Sequence, residues 1–423
     1  MLGIIAVAVV ASLAVGVALR GPAPEETAPP VVARNRIAVI APDGALSIVD
    51  RTGTLVRRFP VESTAFRFPA FSPDGTQLAA IGAAPGRSGV FVFDAGSASG
   101  STDAAPPRAV FSSEDVGVIY LSWAPDGERI GFLTGEPGTL ALRVVAADGL
   151  GLDAIVTQGQ PLYWTWRDAS SLLVHSGGSG PTAFIGDMDL DGSRLGTSPP
   201  APGTFQSPAI SRDGSYRAFV ALRSGRGSAL VIERGDGTSQ SAFDVGRAAS
   251  FEWSPNVDEL AFIDGGGAAG PALGSLQVAD AVSGATRTVL AAPVAAFFWS
   301  PDGALLATLT LAPRDGGNIA SADIETRGRI AVIPGIEITL VVVRAATGER
   351  VLERVVPLSD LFEQQLLPFF DQYAKSHPIW SADSSALVLP LVDAEGGSHL
   401  TVIPLDGGSE VDIGPGVLGF WSP

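Results

Sequence analysis

Apolar positions in this chain come in short runs that follow one repeating order. A run such as Ala295-Ala-Phe-Phe-Trp299 leads into a five-residue box, Trp299-Ser-Pro-Asp-Gly303, and a second run, Ala304-Leu-Leu-Ala-Thr-Leu309, leaves it. Related boxes begin at Phe71, Trp123, Trp166, Ile210, Trp253, Trp380 and Trp421. The copy at Trp166 is decayed to Trp-Arg-Asp-Ala-Ser, and the last is truncated to Trp421-Ser-Pro423. Their lead residues lie 52, 43, 44, 43, 46, 81 and 41 positions apart. A period of about 40–50 residues marks a supersecondary unit that buries its apolar face only by packing against its neighbours.

The chemistry of the box predicts a strand-to-strand turn. Proline presets φ at the first corner, aspartate accepts hydrogen bonds from backbone N–H groups ahead of it, and glycine takes the conformation other residues resist. Beyond the second run comes a third apolar strand, such as Val90-Phe-Val-Phe93 or Ala229-Leu-Val-Ile232. An Asp-Gly turn follows (Asp148-Gly149, Asp191-Gly192, Asp236-Gly237, Asp406-Gly407), then a fourth short run. Four strands per repeat make one blade of a β-propeller, so the predicted fold class is all-β.

The box resembles the Trp/Phe-Ser-Pro-Asp-Gly repeat of the TolB-like, WD40-like (PD40) propellers, a family that includes the propeller domains of prolyl oligopeptidase relatives. The resemblance covers roughly residues 36–423 and implies architecture rather than activity, because propellers carry many unrelated functions. The Gly-His…Trp-Asp signature of eukaryotic WD40 repeats is absent. The chain ends predict how the ring closes. Val417–Pro423 reads as a first strand, and Arg36–Ile40, Ala45–Val49 and Thr54–Phe59 as three strands with no leading box. Together they complete a blade, which removes an exposed sheet edge. Eight blades are favoured; seven follow if the copy at Trp166 is not independent.

Ahead of the repeats, Leu2–Leu19 is an uncharged apolar stretch of eighteen residues, at the lower end of the ~17–25 residues that span a bilayer. Residues 1–20 are read as a transmembrane anchor in preference to a cleaved signal peptide. No basic region precedes the stretch, although Gly16-Val-Ala18 offers small residues for cleavage. Residues 21–35 form a Pro-rich spacer. Flanking charge leaves the orientation open; the resemblance implies a propeller on the extracytoplasmic side, since that family is largely periplasmic or extracellular in bacteria.

Composition narrows the function. A net charge of −17 and a pI near 4.5 argue against nucleic acid or a basic face docking on anionic lipid. Cysteine is absent, and His175, His377 and His399 are too scattered for a zinc centre. Asp187-Met-Asp189-Leu-Asp191-Gly192 matches the first six positions of a calcium loop, but Ser198 stands where its twelfth-position Glu belongs. No metal and no cofactor are therefore expected. Trp164 and Trp166 share a strand face and are read as packing between blades.

No nucleophile elbow, phosphate loop or zinc-protease helix occurs. Prolyl oligopeptidase relatives carry a separate hydrolase domain after the propeller; this chain ends in its last box, so no nucleophile is expected.

One stretch departs from the repeat. The 81-residue spacing between Trp299 and Trp380 accommodates insertions at about 313–336 and 357–377. The second, Ser359–His377, predicts a helix with Asp360 and Glu363 as a capping box and Phe362, Leu366, Phe369, Phe370 and Tyr373 on one face. Pro368 kinks or divides it. Asp371, Gln372, Tyr373, Lys375 and His377 make this segment the candidate binding surface, and Lys375 is the only lysine in the chain. The favoured function is a membrane-tethered interaction or ligand-binding module with a protein partner, as a subunit of a membrane complex, and not an enzyme. The alternative is an enzyme, a hydrolase or lyase, with Asp371, Tyr373 and His377 as acid–base groups at the channel mouth.

Overall fold

In the box beginning at Phe71, the Ser72 hydroxyl donates to Asp74 (2.6 Å) and accepts from the Gln77 N–H (2.9 Å), while Asp74 accepts from the Thr76 N–H (3.0 Å). Gly75, at φ +68°, closes the turn by donating its N–H to the Ser72 carbonyl. The same Ser–Asp pair recurs at Ser211–Asp213, Ser300–Asp302 and Ser381–Asp383. Partial burial pushes the Asp383 carboxyl up, but hydrogen bonds from Ser381 and Ser385, with Arg51 nearby, outweigh it and hold the group at about 2. The recurring aspartates are therefore turn caps.

The computed structural model describes residues 35–423 apart from 60–62, 97–104, 152, 179–181, 197–201, 204, 224–226, 238–239, 246–248, 265–272 and 314–335. These residues belong to one compact unit, Val32–Pro423. The expected anchor and residues 21–34 of the spacer lie outside the described residues, among which no helix is long and apolar enough to cross a membrane. The interior of the first insertion is also outside. Its ends pair as Pro313↔Ile336, joining the second and third strands of their repeat unit.

The strands form antiparallel sheets in chain order. Four sheets have four strands each, two have three, and one has seven because the 14-residue strand Thr286–Trp299 pairs on both sides. Divided at that strand, the sheets make eight successive units. The copy at Trp166 is a unit of its own: Leu162–Trp166 pairs with Ser171–Ser176, which pairs with Phe184–Asp189. Arg36–Ile40 pairs with Leu418–Trp421 on one side and Leu46–Asp50 on the other, so the two ends of the described chain close one sheet.

The box strands touch one another from unit to unit, among them Ala65–Phe71 with Gly117–Trp123 and Leu162–Trp166 with Ala209–Ile210. Second strands such as Gln77–Ala84 and Leu305–Pro313 are buried on both faces along an apolar middle, and Ser171–Ser176 is buried throughout. Indole groups lock neighbouring units. Nε1 of Trp123, Trp299 and Trp380 donates to the carbonyls of Ala70, Glu252 and Phe298, at 2.8, 3.1 and 3.0 Å, each the residue before the preceding box. Trp164 and Trp166 pack against Gly131, where an added Cβ would lie 2.9 and 3.1 Å from the two rings.

The Asp187–Asp191 cluster is already engaged. Arg167 and Arg217 hold Asp187, and Asp189 and Asp191 accept the N–H groups of Leu190 and Ser193. Among the described residues, no group of three or more His, Asp or Glu side chains is arranged to hold a metal ion.

Candidate functional site

The second insertion does not form one helix. Phe362–Leu366 is a π turn, Leu367–Phe369 a 3-10 turn and Phe370–Tyr373 a single α turn, with the division at Pro368, whose ring and missing N–H interrupt the ladder. The Asp360–Glu363 capping box is not made. Ser359 caps instead, its hydroxyl accepting from the Phe362 N–H (3.4 Å) and its carbonyl from the Glu363 N–H (3.0 Å). Asp360 and Glu363 repel one another: burial, and then Asp360, push the Glu363 carboxyl up to about 7. Phe362, Leu366, Phe370 and Tyr373 are buried, whereas Phe369 is 49% exposed.

This segment meets every unit of the sheet array. Tyr373 stacks on Phe68 (centroids 4.7 Å apart), Phe370 packs on Phe297 and Phe298, and His377 packs on Phe420. Tyr120, Tyr163, Ser207 and Glu252 bond to it, and the Ser359 N–H donates to Pro390. A segment that reaches every unit fills the space the units surround, and we call it the plug.

Phe68, Tyr120, Tyr163, Ser207 and His377 each stand three residues before the lead residue of a box. One register position thus lines the plug from five units. His377 is fully buried, with Nε2 3.1 Å from the Phe68 carbonyl. Nε2 must carry the hydrogen, and Nδ1 accepts from Ser376 at 2.6 Å. Ser376 accepts in turn from Tyr120 (2.8 Å), and Tyr163 donates to the Gln372 carbonyl (3.0 Å). Burial lowers the imidazole to about 4 against the opposing pull of the Phe68 carbonyl, so it is neutral near pH 7. Burial raises Tyr120 to about 12 and Tyr163 well above its ordinary value.

Lys375 lies in the interior, with Nζ 2.7 Å from Glu252 and 3.1 Å from the Ser207 hydroxyl. Burial raises the carboxyl of Glu252 although Lys375 opposes it. Asp371, 7% exposed, is pushed up to about 6 by burial; Lys375 pulls it down and Glu252 pushes it further up. Lys375 therefore sits among two carboxyls in a region of low dielectric, where burial works against the charged form of each.

Of the five residues singled out from sequence, Asp371, Tyr373 and His377 are thus buried, Lys375 is ion-paired inside, and Gln372 lies half-buried at a cleft. The cleft has a volume of about 400 Å³ and runs between the plug and the starts of neighbouring box strands. Ile119 and Phe369 stand at it 46% and 49% exposed. Arg67, Gln364 and Gln365 also line it. Sequence reasoning missed these residues and the column of Phe68, Tyr120, Tyr163 and Ser207. Only alignment of the boxes brings that column out, because its side chains share a position and not a chemistry.

No protein-family model matches the chain, and no curated protein matches it. Solved structures do. AztD from Citrobacter koseri superposes with a TM-score of 0.54 at 14% identity, over 92% of this chain and 98% of that one. A prolyl endopeptidase does so with a TM-score of 0.54 at 12% identity, over 83% of this chain and 49% of its own. TolB from Acinetobacter baumannii overlaps 86% of this chain and 68% of its own at 14% identity, with a TM-score of 0.40. AztD is a β-propeller protein, and likeness at this level of identity shows the fold alone: this chain has the fold of a β-propeller.

Proposed function

We propose that the chain is an eight-bladed propeller acting as a non-catalytic binding module, tethered to a membrane through residues 1–20 and facing the extracytoplasmic side. Its partner is a protein, engaged at the mouth where the plug meets the box strands, and the two form part of a membrane complex. The observation that carries this reading is that Ile119 and Phe369 stand half-exposed at one cleft, where a box strand meets the plug. Apolar groups left in water beside a rigid, internally satisfied scaffold mark a recognition surface. The acid–base candidates support it too, since Tyr373 and His377 are buried in packing and hydrogen bonds of the protein itself.

The test is extraction of the full-length, tagged protein from its native membrane in mild detergent, with mass spectrometry of what is retained. The parent is expected to keep a stoichiometric companion that a folded Phe369→Asp variant loses. Both proteins emerging alone would overturn the reading.

A further inference from the structure

Resting on the reading that this mouth is the recognition face, we infer that the cleft is a site for a small amphipathic organic anion. Such a ligand has an apolar aromatic or aliphatic body and a terminal carboxylate, the carboxylate meeting Arg67.

Charge is the first argument. The chain carries 44 acidic and 27 basic residues, yet none of the cleft's sixteen lining residues is acidic, and Arg67 is their one cation. A guanidinium presents a planar fork matched to a carboxylate. Among the described residues the Arg67 guanidinium makes no hydrogen bond or ion pair, and its nearest electrostatic influence is on the Tyr373 hydroxyl.

Polar capacity is the second. The side-chain amides of Gln364, Gln365 and Gln372 line the same cleft, and none has a partner among the described residues. Each offers both a donor and an acceptor. Around them the wall is apolar, with Ile119, Leu140, Leu162, Phe205 and Phe369. A few converging polar groups in an apolar cleft of this size are the composition of a small-molecule site, typically ~300–1,000 Å³.

Backbone strain is the third. Phe68 is a non-glycine residue at φ +49°, and the pairing of its strand slips between Arg67 and Ala70. A bulge of this kind re-aims side chains, and strain of this kind persists only where surrounding contacts hold it. Here it stacks Phe68 on Tyr373, turns its carbonyl to His377, and leaves Arg67 at the mouth of the cleft.

The experiment is calorimetric titration of the full-length protein with 3-(2-naphthyl)propionate and with its primary amide, which has the same body and no charge. The parent is expected to bind the carboxylate at one site, about five- to tenfold more tightly than the amide, the size of a charge-assisted hydrogen bond in a partly shielded place. Arg67→Gln, at an exposed and unpartnered position, keeps the parent's melting temperature and abolishes that preference. Ile119→Asp loses both ligands.

Equal binding of the two ligands at an Ile119-sensitive site would overturn the anion assignment and leave the binding-module reading standing. A preference that survives in Arg67→Gln would overturn it as well. If neither ligand binds the parent, the inference fails, and the protein-partner reading is decided separately by co-purification.

Discussion

Gly303 at φ +69° and Ser384 at φ +59° occupy the same corner of two boxes, and they show how one residue sets the stability of a turn. A side chain in the left-handed region costs roughly 1–2 kcal/mol, so Gly303→Ala is expected to lower unfolding free energy by about 1 kcal/mol. Ser384 bears that strain but accepts a hydrogen bond from the Asp302 N–H of the neighbouring unit at 3.1 Å. Ser384→Gly relieves the strain and loses the bond, so its denaturation midpoint should move little.

Asp371 gives a pH signature. Its folded pKa of about 6 lies above the ordinary 3.8. Its contribution is therefore fully present below pH 3.8 and is lost as pH rises through 6. Asp371→Asn should then gain stability relative to the parent between about pH 4 and pH 7.5, by on the order of 2 kcal/mol, in urea melts at the two pH values. A difference independent of pH would contradict the burial assigned to this carboxyl.

Among the elements, the plug and the indole locks join one unit to the next. Lys375→Met leaves the Glu252 carboxylate buried without its partner and should cost about 3 kcal/mol or more at neutral pH, while Glu252→Gln combined with Lys375→Met restores most of it. Trp380→Phe removes the bond to the Phe298 carbonyl and should cost ~1 kcal/mol more than Trp421→Phe, because the Trp421 indole nitrogen is buried with no hydrogen-bond partner among the described residues.

The boxes were legible from sequence because each turn depends on local chemistry at fixed spacing: Ser, Asp and Gly or its substitute within five residues. The division at Pro368 was legible for the same reason. The Ser359 cap was not, since Asp360 and Glu363 satisfied the same pattern one residue along from the true contacts. Nor was the interior place of the candidate residues. A polar cluster looks alike on a surface and in a plug, and only the partners Glu252, Ser207, Tyr120 and Phe68, brought in from distant repeats, decide between them.

For the whole molecule, closure by Leu418–Trp421 against Arg36–Ile40 joins the ends of the described chain, and the plug then ties the units together from inside. On the function proposed above, recognition then falls to the cleft and its mouth. The central claim is that the inserted segment is seated within the ring, and the sole lysine supplies the probe. Lysyl endopeptidase can cut this chain only after Lys375, which is ion-paired in the interior. Digestion of the native protein at neutral pH, followed by intact mass, should leave the chain whole, with cleavage at Lys375 appearing only once denaturant unfolds it. Rapid cutting at Lys375 in native protein whose melting temperature is unchanged would show the segment to be a surface loop and would contradict the account.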